Sequence, residues 1–408
     1  MVSWLTSLLL DYSKHKRLID QQPVKQFFKS MKATLPRVIN KHAFRGKKIS
    51  PPDISPNMSC SELISFFGQT GYNARRLAEA AETLREMINS GATVCLTLAG
   101  AMTPIGLGKV IRSMIANGFI DWIVSTGANV YHDLHFAYDL PVRQGYADVD
   151  DDILYGNQIV RIYDTYIKEI GTLQAQDVII QRNMTEKKRR LNITESPLPS
   201  TAQLTHELGK AVRENSKYPE KSFTVSAYEH NLPIYIPAIS DSSLGLNMVP
   251  LFFENKATVP NVIMDIAESA AILWKSKVSG GLELGGGVPK NFFQQTGPAL
   301  YQILKLKEGG QDYLIQLTDA RPDTGGLSGA TLQEGKSWGK IRTAHAGNVI
   351  VYGDSSVYFP ILCSYALSNC KPRKKKEIFT KRGKWVKELK DLYLKKRKGI
   401  HDPAILVR

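Results

Sequence analysis

Apolar positions along the chain fall into two rhythms. Strand-like apolar runs stand at 93–98 (TVCLTL), 121–125 (DWIVS), 233–238 (PIYIPA), 281–284 (GLEL), 313–317 (YLIQL) and 347–352 (GNVIVY). Between them, segments such as 104–117, 259–277 and 291–305 read as helices. After a boundary marked by Pro51, Pro52 and Pro56, the stretch Ser61 to Asn89 repeats Leu63, Ile64, Phe67, Leu77, Ala81, Leu84 and Met87 at helical spacing. Strands alternating with helices predict an α/β fold, a doubly wound, mostly parallel, Rossmann-like sheet.

The polar residues that interrupt this pattern cluster just after each strand. The loops read AGAMTPIGLG (99–108), STGANVYHD (125–133), SDSSLG (240–245), GGGVPKN (285–291), TDARPDTGGLSG (318–329) and GDSS (353–356). In open α/β sheets ligands sit at the carboxyl ends of strands, where glycine admits phosphate to the backbone and helix N-termini point N–H groups at it. Six such loops suggest a dinucleotide site. No GxGxxG fingerprint accompanies them, and any one loop alone reads more readily as an ordinary turn.

Charge changes the picture at the ends of the chain. The 408 residues, 43% hydrophobic, carry a formal net charge of +15. Residues 1–50 hold 11 Lys and Arg against 2 Asp, and residues 371–408 hold 15 against 4 Asp and Glu, so the stretch 51–370 between them is slightly acidic, at −5. The expected organisation is a basic N-terminal arm (1–50), a central α/β domain with the candidate dinucleotide site (51–370) and a basic, solvated, partly helical tail (371–408). The basic ends are expected to meet nucleic acid only non-specifically, if at all. The early apolar run Trp4 to Leu10 is too short to span a bilayer and follows no basic residues, so no membrane partner and a cytoplasmic location are expected. Four cysteines, Cys60, Cys95, Cys363 and Cys370, lack metal-ligand spacing; free thiols and no metal are expected.

The run GATLQEGKSWGKIR (329–342) brings a carboxylate, an indole and a lysine together. A lysine that does covalent work needs a neutral amine, which takes an apolar wall or a second cation. Trp338 can supply the wall and Lys336 or Arg342 the cation. Thr331 and Glu334 equally fit a capping box, in which Glu334 only closes a helix end.

Taken in order, SWGKI (337–341), GGGV (285–288), PAISDSSLG (237–245), STGAN with the following HD (125–133) and VYGDSS with FP (351–360) resemble the deoxyhypusine synthase family over roughly residues 60–370. The resemblance implies an enzyme that uses NAD to oxidise a polyamine, holds its aminobutyl fragment as an imine on a lysine, and passes it to an acceptor amine. It implies Lys340 as that lysine, with Trp338, Glu334 and Asn291 around the substrate. It implies cofactor contacts at Asp241, Gly285, Gly286, Asp354, Ser355, Thr126 and Gly127, with His132 and Asp133 where many members place a carboxylate. A homotetramer is implied as well. The substrate side departs from the family: Leu246, Leu327 and Thr324 stand where spermidine-using members carry aspartates, and Asn291 stands for a histidine. Glu283, Asp319 and Asp323 are the candidate replacements. The expectation is therefore homospermidine formation from small polyamines such as putrescine and spermidine, with lysine modification of a translation factor as the alternative.

Overall fold

A computed structural model of the chain describes residues 48–190, 200–254, 260–306, 309–342 and 347–398. The chain divides into Met1–Ser50 and Pro51–Arg408; the expected basic arm falls almost wholly outside the described residues.

Six parallel strands form the main sheet: β1 (Thr93–Leu98), β2 (Trp122–Ser125), β6 (Ile234–Tyr235), β7 (Ser279–Leu284), β8 (Tyr313–Thr318) and β9 (Asn348–Tyr352). A small antiparallel sheet of β3 (Val142–Gln144), β5 (Thr165–Lys168) and β4 (Ile159–Ile162) is inserted between β2 and β6 in sequence. The main order is β6-β2-β1-β7-β8-β9. Counting only its own strands this is 3-2-1-4-5-6, the order of two mononucleotide-binding halves, with the switch point between β1 and β7.

Side chains of β1 are buried on both faces. Val94, Leu96 and Leu98, with Leu282 and Leu284 of β7, enter a core shared with the helices Tyr72–Asn89, Gly108–Ala116, Gly127–Ala137 and Ser355–Asn369. The opposite parity, Cys95 with Trp122, Val124, Tyr235 and Leu314, packs against Phe293 of the helix Gly287–Pro298. This second face also carries polar side chains. Thr97, Glu283 and Gln316 are register partners across β1, β7 and β8, so they stand in one row beneath that helix.

Four expectations need adjustment. The run 233–238 yields only the two-residue strand β6, and the helix expected at 291–305 begins at Gly287. The span Ser61–Asn89 is two helices, Cys60–Gly68 and Tyr72–Asn89, the first opened by a capping box between Ser59 and Glu62. The basic tail is not wholly solvated. Ile378–Lys398 is a helix whose Ile378, Phe379 and Leu389 are buried. Arg382 pairs with Glu268 at 3.1 Å and Glu388 with Lys275 at 2.6 Å, fastening it to the helix Val262–Lys275. Among the described residues no helix is long and apolar enough to cross a membrane, and the four cysteines are free.

Candidate active site

Parallel strands bring all six glycine-rich loops to one edge of the sheet. Gly285 ends β7 at φ +70, and its N–H reaches Leu317 O at 2.8 Å and Ser355 Oγ at 3.2 Å. A Cβ on Gly286 would lie 2.4 Å from Ser328 Cα, so glycine there lets the loop 327–330 close over the β7 turn. Gln316 Nε2 fastens the same contact, donating to Gly285 O at 3.0 Å and Ser328 O at 2.9 Å. By contrast Gly100, Gly287 and Gly325 have positive φ and open space where a side chain would stand. The exposed loop glycines Gly100 and Gly325 and the exposed carboxylates Asp241 and Asp354 on neighbouring loops are groups that fit a dinucleotide: backbone that can approach phosphate, carboxylates that can accept from ribose hydroxyls.

Several residues of this edge are engaged within the chain. Thr126 caps the helix Gly127–Ala137 and donates its hydroxyl to Gly100 O at 2.7 Å, joining the loops after β1 and β2. A Cβ on Gly127 would fall 2.1 Å from Ser242 Oγ, which makes that glycine a packing requirement. Ser355 donates to Leu317 O at 2.9 Å. Asp354 caps the helix Ser355–Asn369 through Ser356 N at 2.8 Å. His132 lies 3.0 Å from His135 Nε2 through its Nδ1, and burial lowers its pKa to about 4, leaving it neutral. Asp133 is fully buried and receives Ser222 Oγ, Phe223 N and Thr224 N at the start of the helix Phe223–Glu229. Its carboxylate is thus spent as a helix cap.

The lysine segment is held by close backbone packing. Lys340 N donates to Gly335 O at 3.0 Å, Gln311 N to Lys340 O at 2.9 Å, and Arg342 N to Gln311 O at 2.9 Å. A Cβ on Gly310 would lie 1.9 Å from Lys340 O, and one on Gly297 would lie 2.8 Å from Gly339 O. Only bare backbone permits this approach. The Lys340 amine then donates to Asn291 Oδ1 at 2.9 Å. Burial pushes that amine below the ordinary lysine range, against the opposing pull of Glu283 and Glu334.

The second cation is Lys290, where Lys336 or Arg342 was expected. Arg342 is paired with Asp312 at 3.1 Å, and Lys336 lines a separate groove with Tyr72, Arg76 and Tyr352. Lys290, only 2% exposed, donates to Gln316 Oε1 at 3.0 Å and Ala330 O at 2.5 Å, and burial depresses its pKa, with Lys340 adding to the effect. Trp338 provides less wall than expected: its ring is 59% exposed and its centroid lies 6.0 Å from Lys340 Nζ. Thr331 Oγ1 accepts from Glu334 N at 3.1 Å, so only half of the capping box forms among the described residues and the exposed Glu334 carboxylate is left for other work.

Of the candidate replacement carboxylates, Asp323 is tied to Arg321 at 2.6 Å and Asp319 is exposed. Glu283 is wholly buried; Gln294 Nε2 donates to its Oε1 at 2.8 Å, and burial raises its pKa to about 7. The position of a charged residue inside the strand GLEL was a legible signal; that of Lys290 was not, since a lysine in a helix's first turn usually faces water. Beside Asn291 lies a largely apolar cavity of about 410 Å³ lined by Ile266, Val288, Phe292, Ile303 and Leu327.

The sequence profile of the family described as deoxyhypusine synthase matches residues 62–366. A deoxyhypusine synthase-like protein of Nostoc punctiforme is 40% identical over 359 residues, covering 86% of this chain and 90% of the relative. A protein of Archaeoglobus fulgidus assigned as deoxyhypusine synthase 1 is 34% identical over 325 residues, 79% of this chain and 99% of that one. The fold is shared with a crystal structure assigned as a deoxyhypusine synthase from Entamoeba histolytica, with TM-score 0.52 at 15% identity over 80% of this chain and 99% of that chain.

Proposed function

Because this chain belongs to the deoxyhypusine synthase family, whose members are NAD-dependent aminobutyl transferases, we propose that it moves an aminobutyl group between small polyamines through an imine on Lys340, forming homospermidine. The observation that carries the reading is the Lys340 amine, anchored to Asn291, partly desolvated, and placed beside a second buried amine. Such an amine is neutral more of the time than a surface lysine and can attack an electrophilic carbon.

NAD, when bound, supplies the oxidation of the donor carbon beside the amine and the final reduction. Asp241 and the second exposed carboxylate, Asp354, would hold its ribose hydroxyls, and the turn begun by Gly285 and Gly286 would present the open backbone at Gly287 to its phosphates. Lys340 adds to the oxidised carbon, the bond to the departing amine breaks, and the four-carbon fragment stays on Lys340 as an imine. An acceptor amine then takes the fragment and frees the lysine. Glu334 would hold the distal ammonium of the fragment.

Support for a free diamine comes from the substrate side. Leu246 is 64% exposed and Leu327 41% exposed, and the largely apolar cavity beside Asn291 also presents Ser269, Gln295, Thr296 and Gln302. The methylene chain of such a substrate can lie along the apolar side of this cavity, with its amines at the polar side chains. The homotetramer of the proposal is supported by exposed Val249, Phe252, Phe253, Ile263 and Ile266, apolar surface of the kind subunits cover. The test is incubation with NAD and isotope-labelled putrescine or spermidine, with and without acceptor amines, and product identification by mass spectrometry. Labelled homospermidine is the expected product; label found only on a lysine of an added translation factor would establish the alternative.

A further inference from the structure

The row Thr97, Glu283, Gln316 contains two buried polar atoms without a hydrogen-bond partner among the described residues, Thr97 Oγ1 and Glu283 Oε2. An unpaired carboxylate oxygen in a core is costly, so its retention asks for a charge nearby. The helix Gly287–Pro298 supplies the connection. Lys290 and Gln294 are four residues apart and Asn291 and Gln294 three, so all three side chains share one side of the helix. Gln294 holds Glu283 Oε1 and Asn291 holds Lys340 Nζ. Around Glu283, β1 contributes the Cys95 thiol, β8 the uncharged Gln316, the helix Lys290, and the segment after Ser337 Lys340. Around Lys340 stand Glu283, Glu334 and Lys290. One buried carboxylate therefore serves two buried or partly buried amines.

We propose that Glu283 is a positioning residue for the lysine site, the buried counter-charge that sets how readily Lys340 gives up its proton. Lys290 is held by two oxygen acceptors, Gln316 Oε1 and Ala330 O, contacts that favour its ammonium form. The Glu283 charge is balanced by Lys290, and Lys340 is the surplus cation. Its proton is the one the cluster releases, to solvent, when the amine turns nucleophile. This deepens the reading of Lys340 as the covalent amine and rests on it, but its test needs no turnover.

The test is the pH dependence of Lys340 acetylation by trace acetic anhydride in the full chain, read by mass spectrometry against a reference amine. In Glu283→Gln the amide still accepts from Gln294, and loss of the counter-charge should lower the Lys340 midpoint by about one pH unit, about tenfold more labelling on the acid side. Mere loosening of the core would hydrate Lys340 and raise the midpoint, so the sign separates the two. A midpoint that rises or stays, with circular dichroism unchanged, overturns the proposal. Should Glu283→Gln not fold, Lys290→Met decides: removing the neighbouring cation should raise the midpoint, and a fall or no change overturns the proposal. Failure of the parent protein to form a borohydride-trapped adduct would sink the imine reading without moving these midpoints.

Discussion

Replacing Gly310 by alanine is the most local way to displace Lys340 without altering its side chain. The new Cβ would sit 1.9 Å from Lys340 O, 2.0 Å from Lys340 C and 2.5 Å from Ile341 N, where ordinary contact begins near 3.4 Å. About 1.5 Å must open between two backbone segments. Overpacking of this kind costs about 1–3 kcal/mol, and loosening the two backbone hydrogen bonds of Gln311 adds about 1 kcal/mol each. A net loss of about 3–5 kcal/mol is expected from chemical denaturation. Because the same shift carries Nζ away from Asn291, lysine adduct formation under borohydride should fall about 100-fold, the effect of an ångström-scale misplacement. Gly383→Ala is the control: it lies inside the helix Ile378–Lys398 with nothing within 4 Å, and should stabilise by about 1 kcal/mol. If Gly310→Ala unfolds within 0.5 kcal/mol of the parent (about the scatter of neutral surface changes) and traps within about twofold of it, this close packing does not position the lysine.

Four further outcomes are expected. Lys340→Arg should abolish the trapped aminobutyl adduct, because a guanidinium stays protonated; an adduct on Lys290 or Lys336 in the parent would reassign the nucleophile. Asp241→Ala should weaken NAD binding about tenfold by calorimetry, and Asp354→Asn, which can still cap its helix, should do the same with little loss of stability; unchanged affinity in both would move the dinucleotide elsewhere. Leu246→Asp with Leu327→Asp should shift the preference from putrescine toward spermidine, and an unmoved ratio of kcat/KM values would reduce both leucines to packing. Glu283 has a folded pKa of about 7, above its unfolded value, so the stability from its protonation is complete below about pH 4 and lost as pH rises through 7. Glu283→Gln lacks this loss, so parent and variant stabilities should diverge by about 3 kcal/mol in the variant's favour between pH 5 and 8; parallel curves would mean that Glu283 titrates normally.

The strands β1, β7 and β8 were legible because strands buried at nearly every residue show as mostly apolar runs, and β9 because Val349, Ile350 and Val351 stand together, although its positions alternate between buried and partly exposed. The small sheet β3-β5-β4 left no such trace: its strands are three or four residues long and partly exposed, as are Tyr146 and Tyr163 nearby. Loop glycines were visible, but their reasons were not. Gly127 and Gly286 answer to Ser242 and Ser328, contacts more than 40 residues distant that no local motif encodes. The same holds for the lysine site. SWGKI marked Lys340, while the cation beside it came from 50 residues earlier, and the nearer candidate Arg342 had been claimed by Asp312.

The helix Ile378–Lys398 also bears on how the protein is made. It packs on the helix Val262–Lys275 and adds Ile378 to the core of the second sheet face, yet it leaves the ribosome after every strand has been synthesised. At about 5–20 residues per second, some 2–9 s separate the end of β9 from the end of this helix. During that interval the first face can close on its own helices while Ile272, Leu273 and Tyr235 wait for their cover. An interrupted polypeptide would therefore offer chaperones an apolar face beside the helix Val262–Lys275, which the arrival of the last helix closes.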